Sequence, residues 1–441
     1  MSGHAQNDPN NRQSSPPRKC AKAGGQACPW QATEGNHVVF AVPDSRLRGN
    51  DEEALMRNAA VLDPAELAAR LIRRPSVTPK DEGALDIVAA TLEELGFICH
   101  RLVFDEGGEP VDNLYARRGD APPNFCFAGH TDVVPVGARE AWSFDPFAGV
   151  VRDGELCGRG AVDMKGAIAA FIAAAWCYLD RHRGRLAGSI SLLITGDEEG
   201  PAVNGTRKVL EWLGERGETL DACLVGEPTS AETLGDMIKI GRRGSLTGCL
   251  TAHGVQGHTA YPHLADNAAH RLVAMLHALT TTELDRGSEH FPPSTLQVAT
   301  IDIGNPVSNV IPASAKAVFN IRFNDRWTGE SVKRWLAERL DLVGGRYELD
   351  VSVSGESFLV PPGAIGERLA EAIRRVTGKT PEFSTTGGTS DARFIRTCCP
   401  VAEFGLVGQR AHQVDERVAL GDLAALTEIY DTFLGLFFDS P

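Results

Sequence analysis

The sequence predicts an α/β fold interrupted by a separate α+β unit. Three observations lead there. Between residues 97 and 225, short apolar runs alternate with helical segments. Around Gly241 the pattern changes to longer strands with fewer helices, and after Gly355 the first pattern returns. The simplest organisation is one domain split into residues 56–243 and 357–441, built on a central mixed, largely parallel sheet. Residues 244–356 are then an insertion. No internal repeat is visible.

Residues 1–55 do not read as part of either unit. Met1 to Gly35 is rich in Asn, Gln, Ser, Pro, Lys and Gly, and such a segment cannot bury enough apolar surface to offset its ordering entropy. It is expected to be a disordered extension, with Met56 a candidate start. Order is expected from Asp63, which can cap a helix with Pro64 in its first turn, running to about Arg73. A second helix is expected over 82–95, ending at Gly96. Strands follow at 97–104, 113–117, 125–129, 189–195 and 222–225, with an Ala-rich helix over 165–181. The insertion carries strands at 244–252, 295–303, 315–323 and 347–353 and helices near 267–279 and 329–340. The last part has a helix at 364–376, a strand at 401–405 and a helix over 420–437.

Length and composition limit the function classes. A chain of 441 residues is long for one core, and 42% hydrophobic with 23% charged residues is ordinary for a soluble globular protein. The formal net charge of -14 argues against nucleic acid or an anionic membrane as partner. No apolar run is long enough to span a bilayer, and the polar N-terminus lacks an apolar h-region, so a cytoplasmic protein is expected. The ten cysteines are scattered without a Cys-x-x-Cys pair, which fits buried thiols in a reducing compartment.

Chemistry-bearing residues gather at the ends of the apolar runs. Phe125–Ala128 leads into Gly129-His130-Thr131-Asp132, where an imidazole with a carboxylate two residues on suits a metal ligand held in one tautomer. Alone, such a tripeptide is mostly an ordinary strand end. Gly158–Gly166 is a glycine-rich turn entering a helix; it lacks the phosphate-loop and dinucleotide spacings and places Asp163 at the corner. An isolated Asp there is as readily a helix cap. Ile194-Thr195 ends at Gly196-Asp197-Glu198-Glu199, and neighbouring acids at a strand end diverge, so one can bind metal while the other acts as general base. Val225 leads to Gly226-Glu227, and His412 stands in Arg410–Glu416. Ligands of open α/β sheets lie at the carboxyl ends of strands. Five N/O donors without a thiolate, His130, Asp163, Glu199, Glu227 and His412, suit two zinc ions. In so acidic a chain, Arg242 and Arg243 stand side by side and Arg322 follows later. An Arg pair is mostly a solvated strand end, and Gly387-Gly388-Thr389 could be a tight turn.

These motifs resemble the dizinc amidohydrolases and peptidases that include acetylornithine deacetylase, aminoacylase and carboxypeptidase G. The resemblance covers about Leu62 to Leu436. Gly241-Arg242-Arg243-Gly244-Ser245, Gln256–His263 and Gly387–Asp391 narrow it to members that hydrolyse N-succinyl-LL-2,6-diaminopimelate to succinate and LL-2,6-diaminopimelate. It implies a zinc-peptidase-like catalytic domain and an inserted dimerisation domain. It implies two Zn2+ per subunit, Co2+ able to replace one, with His130 and Glu227 on one ion, Glu199 and His412 on the other and Asp163 bridging. It further implies Asp132 orienting His130, Glu198 as general base and acid, and His258 acting from the partner in a homodimer. Substrate contacts are implied at Arg242, Arg243, Ser245, Asn309, Arg322, Gly388 and Thr389. The alternatives are an acetylornithine deacetylase or broader N-acyl-amino-acid amidohydrolase, a peptidase, or a metal-binding relative without catalysis.

Overall fold

The computed structural model describes residues 62–439; the expectations for residues 1–55 lie outside them. In chain order the main elements are α1 (Pro64–Ile72), α2 (Ala84–Glu94), β1 (Ile98–Phe104), β2 (Val111–Arg118), β3 (Asn124–His130), α3 (Lys165–Arg181), β4 (Ser189–Thr195), α4 (Thr206–Glu215), β5 (Ala222–Val225) and β6 (Met237–Lys239). There follow β7 (Gly244–His253), α5 (Ala268–Thr281), β8 (Thr295–Asp302), β9 (Ser314–Phe323), α6 (Gly329–Val343), β10 (Tyr347–Gly355), α7 (Ala364–Thr377), β11 (Glu382–Ser384), α8 (Ala392–Ile395), β12 (Val401–Glu403) and α9 (Leu420–Phe438). Shorter ribbons join them.

The large sheet runs β1-β2-β4-β3-β5-β12-β6-β11. Strands β4, β3, β5 and β12 are mutually parallel, while β1–β2, β2–β4 and β12–β6 are antiparallel, so the sheet is mixed, as the sequence predicts. Its middle strands are buried along their whole length, which is why they read as continuous apolar runs rather than as an alternation. Helix α3 is buried from Lys165 to Ala175. Its alanines let it lie close to the sheet, and Phe171 stacks on Phe127 at 4.2 Å. At α1 the capping expectation holds: Asp63 Oδ1 accepts the Ala65 N–H at 2.8 Å and Pro64 opens the first turn.

A second sheet, β8-β9-β7-β10, is antiparallel throughout. One face carries Leu246, Leu250, Phe319 and Ile321 against Leu272, Met275, Trp335 and Leu336 of α5 and α6, a core of its own. Edge strand β8 is largely exposed.

Helix α4 and strands β6 and β11 escape the sequence reading for physical reasons. Helix α4 follows Gly205 without a side-chain cap, so its start carries no signal. Strands β6 and β11 have three residues each, too few for a period to show. Among the described residues the cysteines are free thiols, and no helix is long and apolar enough to cross a membrane.

Candidate metal centre

Parallel pairing sets three strand ends side by side. His130 of β3 is in register with Thr195 of β4, and Ala128 with Val225 of β5. The residues that follow, Asp132, Glu198, Glu199 and Glu227, therefore emerge at one edge of the sheet. Asp163 arrives from the turn into α3, and His412 from a loop before α9. His412 holds φ at +63°, a strained setting for a residue with a Cβ, of the kind that collects at functional sites.

The donors converge. His130 Nε2 lies 3.2 Å from Asp163 Oδ1 and 3.8 Å from Glu227 Oε1. His412 Nε2 lies 2.7 Å from Glu199 Oε1 and 3.1 Å from Asp163 Oδ2. Asp163 thus faces both imidazoles, one with each oxygen. Donor atoms of His130, Asp163 and Glu199 all lie within 4.8 Å of one another, as do those of His130, Glu198 and Glu227.

His130 Nδ1 is 2.8 Å from the Asp132 carbonyl oxygen. A carbonyl can only accept, so Nδ1 carries a proton, and Nε2, which donates to Asp163 in the metal-free chain, is the nitrogen a cation would take once that proton is displaced. The main chain of Asp132 orients the ring, because the chain leaves the strand after His130 and the carboxylate stays 3.6 Å away. That carboxylate instead accepts the N–H groups of Glu198 at 3.3 Å and Glu199 at 3.0 Å, and so fixes the turn that splays the two acids.

The electrostatics call for cations. Five carboxylates, Asp132, Asp163, Glu198, Glu199 and Glu227, surround two imidazoles. Burial, then the charge of Asp163, pushes Glu227 up to about 8, and its Oε1 is buried without a hydrogen-bond partner. Burial, then Glu227, pushes Glu198 well above the carboxylate range. Asp163 is held low: burial would raise it, but hydrogen bonds from His130 and His412 win. Those same bonds to Asp163 and Glu199 push His412 up to about 10. The oxygen-and-nitrogen donor set, the orphaned Glu227 oxygen and the crowded negative charge fit divalent metal ions.

The raised values set a sign. At pH 7 His412 and Glu227 hold protons that a cation must displace, so affinity should rise with pH and fall as pH drops. Loading the metal-free chain near pH 7 is expected to release at least about two protons, measured by calorimetry in buffers of different ionisation enthalpy. Binding without proton release would contradict the ligand set.

Two carboxylates missed by sequence reasoning organise this centre. Glu416 is fully buried; its Oε1 accepts the N–H groups of Gly160 at 3.0 Å, Val162 at 2.9 Å and Asp163 at 3.2 Å. Its Oε2 accepts Arg159 Nη1 at 2.7 Å. Glu416 therefore ties the His412 loop to the turn carrying Asp163. Glu403 stands 1% exposed in the apolar run Val401–Gly405, where a lone acid signals a buried pair. Its partner is Arg242, whose Nε and Nη2 both bond to it. Arg242 is therefore held along one edge, and Nη1 is the donor left without a hydrogen bond among the described residues.

The other expected substrate contacts are not joined to the cluster by hydrogen bonds or ion pairs among the described residues. Ser245 is buried, its Oγ 3.4 Å from Asn320 Nδ2. Arg322 pairs with Ser245 in register, and burial, then the nearby Arg322 charge, lowers the Arg243 pKa, so two guanidiniums sit close together. His258 and Asn309 lie exposed beside the short ribbon Gly257–His258 and Val310–Ile311, where the Thr259 N–H bonds to the Asn309 carbonyl. Gly388 is exposed, with open space where a Cβ would stand.

Comparisons with known proteins agree with this architecture. The chain is 63% identical over 377 residues to a succinyl-diaminopimelate desuccinylase of Rhodospirillum centenum, covering 85% of this chain and 97% of that one. It is 56% identical over 386 residues to the protein of the same name from Parvibaculum lavamentivorans, covering 86% and 97%. Among solved structures, an M20 family metallo-carboxypeptidase of Sulfolobus solfataricus superposes with a TM-score of 0.70 at 18% identity, over 85% of this chain and 99% of that one. A dinuclear metal binding peptidase of Bacillus subtilis gives 0.60 at 16% identity, over 88% and 100%. Residues 126–435 match peptidase family M20/M25/M40. The chain belongs to that family.

Proposed function

We propose that this protein hydrolyses the amide bond of N-succinyl-LL-2,6-diaminopimelate, giving succinate and LL-2,6-diaminopimelate. The observation that carries the reading is the convergence of five side chains able to ligate a metal, with Glu198 beside them, in a chain so similar to a desuccinylase over nearly its full length.

His130 and Glu227 would hold one Zn2+, Glu199 and His412 the other, with Asp163 between them; Co2+ would serve in one position. When bound, the cations lower the pKa of the attacking water and polarise the scissile carbonyl. Glu198 takes a proton from that water as it adds to the carbonyl carbon. It then gives the proton to the leaving amine as the C–N bond breaks, so one water is consumed and a carboxylate and an amine are released. Asp132 acts by holding the Glu198–Glu199 turn.

Residues 244–356 form the dimerisation domain in this reading. The exposed edge strand β8, with Ile301 54% exposed, suits a homodimer contact. His258 would then donate to the developing oxyanion from the partner subunit. Arg242, Arg243, Arg322, Asn309, Ser245, Gly388 and Thr389 would bind the substrate. The protein would act in the cytoplasm, with neither nucleic acid nor membrane as partner.

Chelator-stripped protein is expected to lose succinate release and to regain it on adding two equivalents of zinc. Full activity without metal would overturn the dizinc reading.

A further inference from the structure

Arg242 lies where the large sheet meets the Gly387 loop. It is 7% exposed, on the short strand Gly241–Arg242, which pairs with Phe358–Leu359. Glu403 sits on β12 opposite Val225 of β5 on one side and Lys239 of β6 on the other. Val225 is two residues before Glu227, so the Arg242–Glu403 pair borders the metal cluster.

The pair has a definite orientation. Glu403 accepts Arg242 Nε through both oxygens at 3.0 Å and takes Nη2 as well. A guanidinium gripped along one edge has its plane fixed. Nη1 is left, and it carries no hydrogen bond among the described residues. It abuts Gly387, where a Cβ would stand 2.6 Å from it; Gly387 also holds φ at +107°. Only glycine lets the loop lie on the guanidinium in this way. The start of the loop is braced by a second buried cation: Lys239 Nζ donates to Thr386 Oγ1 at 2.6 Å and to Ser384 Oγ at 3.4 Å.

We infer that Glu403 is a positioning residue for substrate binding. It clamps Arg242 so that Nη1, beside the turn Gly387–Thr389, presents a single preset donor edge to one substrate carboxylate. This rests on the function proposed above and adds to it a residue that never touches the substrate. Lys239 holds the other end of the same loop.

The test uses the zinc-loaded full chain and N-succinyl-LL-2,6-diaminopimelate. Glu403→Gln keeps the shape but lets the guanidinium turn, and KM is expected to rise roughly 10- to 100-fold while kcat stays within about threefold, the scale of a misplaced charged hydrogen bond. Arg242→Gln should raise KM similarly, and Arg242→Gln/Glu403→Gln should add nothing beyond Arg242→Gln alone. A lower melting temperature with unchanged KM would overturn the inference, as would an effect on kcat alone or full additivity in the double variant. If Glu403→Gln does not fold, Glu403→Asp keeps the charge one methylene short and must still raise KM severalfold; an unchanged KM there also overturns it. Failure of the unmutated protein to turn over this substrate would instead overturn the proposed function, and the inference with it.

Discussion

Glu198→Gln is expected to lower kcat by roughly 10²- to 10⁴-fold, the usual contribution of a positioned general base. Metal content should not change, because Glu198 is not needed to complete the donor set of His130, Asp163, Glu199, Glu227 and His412. The main-chain N–H of residue 198 still bonds to Asp132, so the turn should keep its shape. The amide cannot take a proton from water, whereas the carboxylate can take one and return it. Steady-state kinetics with metal analysis on the same sample decide the matter. Near-normal kcat with two bound cations would remove Glu198 from the mechanism. Loss of metal along with activity would make it a ligand instead.

Glu416→Gln is expected to weaken metal binding by roughly 10- to 100-fold, as removal of a ligand's supporting partner does. Four donors converge on this carboxylate: three main-chain N–H groups of the Gly160–Asp163 turn and the Arg159 guanidinium. An amide offers one accepting oxygen and turns its NH2 toward whichever donors remain. Either the turn carrying Asp163 or the arginine then loses its partner, and the charge that balanced Arg159 is gone. Competition with a chelator of known affinity measures the change. Unchanged affinity would mean that the turn holds Asp163 in place by itself.

The sheet and the placement of His130, Glu198, Glu199 and Glu227 at its strand ends were legible in the sequence because both depend on local pattern. The run Phe125–Ala128 and the run Ser189–Thr195 are buried on both faces, so they stand out as unbroken apolar segments, each ending at its functional residue. The bounds of α3 could be read directly, since an Ala-rich stretch opening after Asp163 has little other structure open to it. Geometry that depends on distant partners was not legible. Nothing near Arg242 announces that Glu403, 161 residues away, will bond to its Nε and Nη2. Likewise, Asp132 two residues after His130 suggests a carboxylate–imidazole contact, and only the path of the chain after β3 shows that the carbonyl takes that place. Glu416 lies within a stretch already singled out for His412, yet its role depends on a turn about 250 residues earlier, as the Glu416–Asp163 bond spans 253 positions.

The most direct measurement compares kcat/KM for N-succinyl-LL-2,6-diaminopimelate and N-acetylornithine on the same zinc-loaded protein. The account predicts strong preference for the succinyl compound, abolished by a chelator and restored by zinc. Comparable turnover of N-acetylornithine would contradict the substrate assignment and favour a deacetylase or a broader amidohydrolase, and no turnover of either at full zinc occupancy would contradict the assigned activity itself.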